Sequence, residues 1–212
     1  MTEKVEGLPK FGRSAEVRAA SFDEADNTIE VVWTTGAAVR RYDWRSGRYY
    51  QEILEVTPKA VRLDRLNAGA PLLDTHDDWS LRSVIGSVVP GSAKIAGGKG
   101  TARVKLSRSD ADAAIIEKIK DGIIRNISVG YAIHKVIKTD ADGDGLDDEW
   151  RVVDWEPLEI SAVPVPADAG SQIRKGDEKA LMPCEFVNEA ATSRVEAARA
   201  RMNARYRHFV AS

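Results

Sequence analysis

The chain has 212 residues, 43% of them hydrophobic and 30% charged, which fits one substantial domain of ordinary globular composition. Its 31 basic and 33 acidic residues give a formal net charge of −2, so no global basic field points to a nucleic-acid partner. The single cysteine, Cys184, excludes an internal disulfide, the charged opening MTEKVEGLPK lacks a signal-peptide core, and no 18-residue apolar window is present; a soluble protein of a reducing cytoplasm, with no membrane association, is expected.

In chain order, residues 1–14 read as a polar arm. NTIEVVWTTGAAV (27–39) is rich in β-branched residues and ends near Gly36, as a strand and turn would. GRYYQEILEV (47–56) is a second β-like run. TPKAVRLDRLNAG (57–69) reads as a helix, with Thr57 as cap, Pro58 in the first position and Gly69 as its stop. APLLDTHDDW (70–79) is an apolar strand running into an acidic loop that carries His76. Two strands follow, LRSVIGSVVPGS and GTARVKLS, joined by a glycine-rich turn. SDADAAIIEKIKDGII (109–124) predicts a helix capped by Ser109 or Asp110 and stopped by Gly122.

RNISVGYAIHK (125–135) begins a strand that runs to Lys138, breaks at TDADGDGLDDE and resumes at WRVVDWEPLEISAVPVP. The paired Pro164 and Pro166 close it. From Val187 to Phe209, apolar residues recur at steps of three and four, which predicts a long amphipathic C-terminal helix with an Arg-rich outer face. Short strands with a few interspersed helices imply an α+β fold, a mainly antiparallel β-barrel or sandwich with peripheral helices. The expected organisation is a polar arm over 1–14, one domain over 15–175, and a linker with the C-terminal helix over 176–212.

Three polar residues stand out against their surroundings: His76, which follows an apolar run, Ser128 and Glu159. A nucleophilic serine needs a base, and the base needs an orienting acceptor. His134 lies six residues beyond Ser128 on the same strand, about 20 Å away if extended, and His208 falls in the tail, which leaves His76. If Lys138 faces Trp150 across a hairpin, Ser128 falls opposite Ile160, beside Glu159; parity then decides which face Glu159 uses. Taken singly, Ser128 also reads as a core hydroxyl and His76 as a loop residue. A carboxylate inside an apolar strand, by contrast, demands a partner.

At these residues the chain resembles the prohead, or capsid-maturation, serine proteases of tailed bacteriophages, which in turn resemble the herpesvirus assemblin proteases. Three blocks carry the resemblance in order: PLLDTHDDWSLRSVIGSV (71–88), GIIRNISVGY (122–131) and PLEISAVPVPADAG (157–170). It implies a β-barrel ringed by helices, with Ser128 as nucleophile, His76 as base and Glu159 as third member. It implies a serine endopeptidase that cleaves capsid and scaffold proteins, and itself, inside an assembling prohead in the host cytoplasm. A homo-oligomer, such as a dimer, is expected, and no cofactor is required. Arg125 and Asn126 are candidates to assist near the nucleophile.

Outside the resemblance, DADGDGLDDEWR (140–151) matches the start of an EF-hand-type calcium loop, with Asp140, Asp142, Asp144 and Asp148 as ligands; position 12, where a bidentate Glu belongs, is Arg151. A solvated acidic hairpin tip is the plain alternative. Two rival functions stand beside the protease. One is a metal-dependent hydrolase built on Asp74, His76, Asp77 and Asp78, for which one histidine is a poor transition-metal set. The other is a non-catalytic capsid-assembly or scaffold module that works through the tail.

Overall fold

The computed structural model describes residues 2–8, 11–17, 22–139, 147–164 and 182–188. Twelve strands form one sheet: β1 (Thr2–Leu8), β2 (Phe11–Val17), β3 (Thr28–Thr34), β4 (Val39–Asp43), β5 (Arg48–Leu54), β6 (Pro71–Asp74), β7 (Val84–Val88), β8 (Lys94–Ala96), β9 (Lys99–Leu106), β10 (Asn126–Thr139), β11 (Asp148–Ala162) and β12 (Met182–Asn188). Among the described residues two α-helices occur, both short, α1 at Asp64–Asn67 and α2 at Ala113–Lys120. Neighbouring strands run β1-β12-β10-β2-β3-β9-β7-β6-β11-β5-β4, with β8 on β9 and a further β10–β11 pairing. Most pairs are antiparallel; β11 with β5, β11 with β6 and β10 with β12 are parallel.

The expected α+β fold, a β-barrel ringed by helices with a long C-terminal helix, is therefore corrected: the described residues are mostly strand, in one sheet not closed into a barrel, with little helix among them. Local periodicity overstated the helices. In 57–69 the chain makes a turn in which the Thr57 carbonyl accepts from the amides of Ala60 and Val61. Val61 then bridges to Trp155 before the single-turn α1. In 109–124, Ser109 caps a 3-10 turn and α2 ends at Lys120. Val187, the first residue of the expected tail helix, lies in β12, where it pairs with Ile137. The rest of that stripe, Ala191 to Phe209, lies outside the described residues, and among the described residues there is no long C-terminal helix. The expected polar arm supplies β1 and the start of β2, which pair with β12 and β10.

The core explains the spacing in β10. Ile127, Val129, Tyr131 and Ile133 enter the hydrophobic core. Trp155 there meets Trp33 and Tyr131 edge-on, at 6.0 Å and 5.6 Å between ring centroids. Side chains alternate along a strand, so Ser128, Gly130 and Ala132 share the other face, and all three are buried. Gly100 on β9 lets the strand pass close to Trp33, since a Cβ there would meet the ring at 2.5 Å. None of the helices is long and apolar enough to cross a membrane among the described residues.

Candidate active site

β11 brings the three singled-out residues together because it is paired on both edges. On one edge it meets β10 antiparallel, with Ser128 opposite Ser161 and Gly130 opposite Glu159. On the other it meets β6 in parallel, with Ser161 beside Leu73 and Ala162 beside Asp74. The chain leaving β6 turns at once through Thr75 and His76, next to the strand that carries Glu159.

The register contains one extra residue. Lys138 faces Trp150, as counting predicts, but Ser128 faces Ser161 rather than Ile160. Pairing jumps from Gly130–Glu159 to Tyr131–Pro157, so Leu158 is the bulged residue. Two further irregularities, on either side of Lys135–Asp154, cancel each other. The bulge has a chemical consequence. In the unbulged register Glu159 would alternate to the face away from Ser128; with Leu158 inserted, Glu159, Ser161 and Ser128 share one face. Opposite Glu159, Gly130 contributes no side chain.

His76 is presented by a tight turn. The Asp77 amide donates to the Asp74 carbonyl at 3.0 Å, and Thr75 and His76 have φ of 49° and 62°. Positive φ at both central residues defines a type I′ turn, normally built with Asn and Gly. Left-handed backbone costs about 1–2 kcal/mol at a non-glycine residue, so contacts must hold this turn in place. They come from β11: the Thr75 amide donates to the Ala162 carbonyl at 3.0 Å, and the His76 amide donates to Ser161 Oγ at 3.2 Å.

The side chains complete a hydrogen-bonded circuit. His76 Nδ1 lies 2.7 Å from Glu159 Oε1, and Ser161 Oγ donates to Glu159 Oε2 at 2.6 Å. With the carboxylate ionised, and so only an acceptor, this contact calls for the proton on Nδ1, which would leave Nε2 as the acceptor. The Glu159 side chain is buried, 4% exposed, whereas the imidazole is 34% exposed. The carboxylate is thus shielded while the ring reaches solvent. Ser128 Oγ is buried with no hydrogen-bond partner among the described residues. The two facing serines differ: Ser161 both donates and accepts, whereas Ser128 Oγ does neither among the described residues.

Other expected site residues fall elsewhere. Asp77 accepts from the Trp79 amide and the Ser83 hydroxyl, which pull its carboxyl below the usual range, the Ser83 bond first. Asp77 thereby braces the loop after His76. No group of three or more His, Cys, Asp and Glu disposed to hold a metal exists among the described residues, which weighs against Asp74, His76, Asp77 and Asp78 as a metal set. His134 lies 3.8 Å from Glu156, outside the circuit. Asn126 Nδ2 donates to the Pro164 carbonyl. Asp140, Asp142 and Asp144 lie outside the described residues, and Asp148 opens β11 with an oxygen 3.4 Å from Arg48. A cleft between α2 and the β3 and β9 ends is lined by Phe22, Asn27, Ser107 and Lys120 and contains none of the three residues. Ser161 was not singled out from the sequence, although its place two residues after Glu159 on a strand puts both on one face.

A shielded carboxylate, an imidazole it orients and a serine with an open hydroxyl on the same sheet face are the parts of a serine-hydrolase site. The comparisons name the class more narrowly. The chain belongs to the Caudovirus prohead serine protease family, whose model matches residues 39–182 and so spans all three side chains. It is also similar to a protein described as the major capsid protein of Halomonas phage phiHAP-1, at 37% identity over 117 residues. That match covers 55% of this chain and 19% of the capsid protein. No solved structure matches.

Proposed function

We propose that this chain is a serine endopeptidase of prohead maturation, with Ser128 as nucleophile, His76 as general base and Glu159 as the acid that orients it. The observation that carries the reading is the 2.7 Å contact between His76 Nδ1 and Glu159 Oε1, made on the face that Ser128 shares. With Nδ1–H given to Glu159, His76 Nε2 is free to take the Ser128 proton as Oγ attacks a peptide carbonyl. The imidazolium then passes that proton to the leaving amine, an acyl-enzyme remains, and water attacks it with His76 again as base. Glu159 stays ionised throughout and stabilises the imidazolium. Ser128 and His76 share no hydrogen bond; such contacts commonly tighten only when substrate closes the site.

The family and the capsid-protein relative support capsid and scaffold proteins as substrates, met inside the assembling prohead in the host, with the chain itself as a further substrate. In the phage relative, the region like this chain is part of a protein described as a capsid protein, an arrangement that would keep a protease beside its substrate. The test compares wild type with Ser128→Ala, each incubated with capsid and scaffold proteins and followed by gel and mass analysis. Cleavage should fall by on the order of 10³-fold or more with the fold unchanged; activity retained within about tenfold rejects the proposal in favour of a non-catalytic assembly role.

A further inference from the structure

We infer that Ser161 is the positioning residue that locks the His76–Glu159 pair, an inference that rests on the protease reading above for its kinetic readout. The Ser161 side chain is wholly buried, and its single oxygen makes two bonds of opposite sense. It donates to Glu159 Oε2 at 2.6 Å and accepts from the His76 amide at 3.2 Å. Together with the His76 Nδ1–Glu159 Oε1 contact, these close a ring. The ring runs from Ser161 Oγ through the carboxylate to the imidazole, back along His76 to its own amide, and again to Ser161 Oγ.

Each bond removes one freedom that would spoil a base. The bond to Oε2 stops the carboxylate from rotating about its axis, so Oε1 stays on the imidazole. The bond from the His76 amide holds a turn whose two central residues are left-handed and not glycine, a conformation that persists only where its surroundings over-determine it. Both the backbone and the ring of His76 are therefore referenced to β11, and β11 is the strand paired with Ser128. Ser161 reaches the reacting atoms only through His76 and Glu159, because its own donor and acceptor are engaged.

Ser161→Ala removes both bonds by deleting one atom. It should lower kcat by about 10- to 100-fold, the scale on which small misplacements of a catalytic group act, with KM within about threefold. Ser161→Thr keeps the oxygen and suits a strand, and should recover most of kcat. Two magnetic-resonance readouts need no activity. The His76 backbone amide should resist exchange in the wild-type chain despite lying in a turn, and the His76 Nδ1–H proton should give a downfield resonance that is kept in Ser161→Thr and lost in Ser161→Ala. Unchanged kcat in Ser161→Ala overturns the inference, as does a threonine variant as slow as the alanine one. So does a wild-type His76 amide that exchanges like open loop, which decides the matter even if Ser161→Ala does not fold. A fully active Ser128→Ala would sink the protease reading alone, leaving the exchange measurement to judge Ser161.

Discussion

Two buried carboxylates sit on the same sheet and meet different partners. Glu52 on β5 is wholly buried and accepts from Arg41 Nε at 2.9 Å and from the Tyr131 hydroxyl, while Arg41 Nη2 also donates to Tyr131 at 3.0 Å. Glu159 on β11 is almost as buried but faces an imidazole and a serine hydroxyl. A guanidinium keeps its charge at any working pH. Burial works against the Arg41 charge, but Tyr131 and Glu52 outweigh it and raise its pKa further. Burial, and then Glu52, likewise push the Tyr50 hydroxyl well above its ordinary value, so it stays protonated. The Glu52 site is a fixed set of charges inside the sheet. In the Glu159 site the counter-group is an imidazole about a third exposed to solvent, and the Ser128 hydroxyl on the same face has no partner among the described residues. Burial of an acid marks neither function nor scaffold by itself; the partner that meets it decides.

Exchanging each acid for its amide should separate the two roles. Glu159→Gln should lower kcat/KM by on the order of 10³–10⁴, because an amide can hold the imidazole in the wrong tautomer and cannot stabilise the imidazolium. Its melting temperature should change little, which thermal unfolding beside peptide-cleavage kinetics would check. Glu52→Gln should do the reverse. It strips the charge from the partner of a buried guanidinium, at a cost of about 3–5 kcal/mol in denaturant unfolding, while the molecules that remain folded cleave as before. If both variants lose activity equally at equal folded fraction, the contrast between the two sites fails.

The smallest effect expected is acid-linked. The Ser83 hydroxyl and the Trp79 amide hold the Asp77 carboxyl below its usual range. A depressed folded-state value means that the stabilisation is present above the unfolded pKa, about 4, and is lost as pH falls through the lower folded value. The melting temperature of wild type should therefore fall slightly more steeply in acid than that of Asp77→Asn, with the curves differing in level but parallel at neutral pH. Parallel curves throughout would show that Asp77 does not brace the loop after His76.

Local chemistry made part of this legible. Ser128 and Glu159 stood out as polar residues in apolar runs and His76 as a histidine just after one, and the hairpin pairing Lys138 with Trp150 followed from counting. Counting failed by one residue at Leu158, and that residue decides the face of Glu159. Pro157 in WEPLEIS is a bulge signal, since a proline cannot donate to the ladder of a paired strand, but it does not say that Leu158 is the extra residue. Ser161 was hidden for a related reason: its role comes from the turn of β6 folding back, a contact between residues 76 and 161. The strands β1 and β12 also escaped notice, because a charged TEKVEGL becomes a strand only through its pairing with Met182–Val187. For the helices the error ran the other way, since spacing of three and four suits a helix but does not compel one when a sheet edge offers partners. All four misreadings are long-range effects, beyond the reach of a local pattern.

The claim at the centre is that one serine of a facing pair, Ser128 and not Ser161, has its hydroxyl free for attack and is served by His76 and Glu159. The most direct test is covalent labelling of the wild-type chain with an organophosphonate that reacts only with an activated serine, followed by mass mapping of the adduct. The account predicts a single adduct on Ser128, absent in His76→Ala and strongly slowed in Glu159→Gln. An adduct on Ser161, or labelling of Ser128 that is indifferent to both changes, would contradict it.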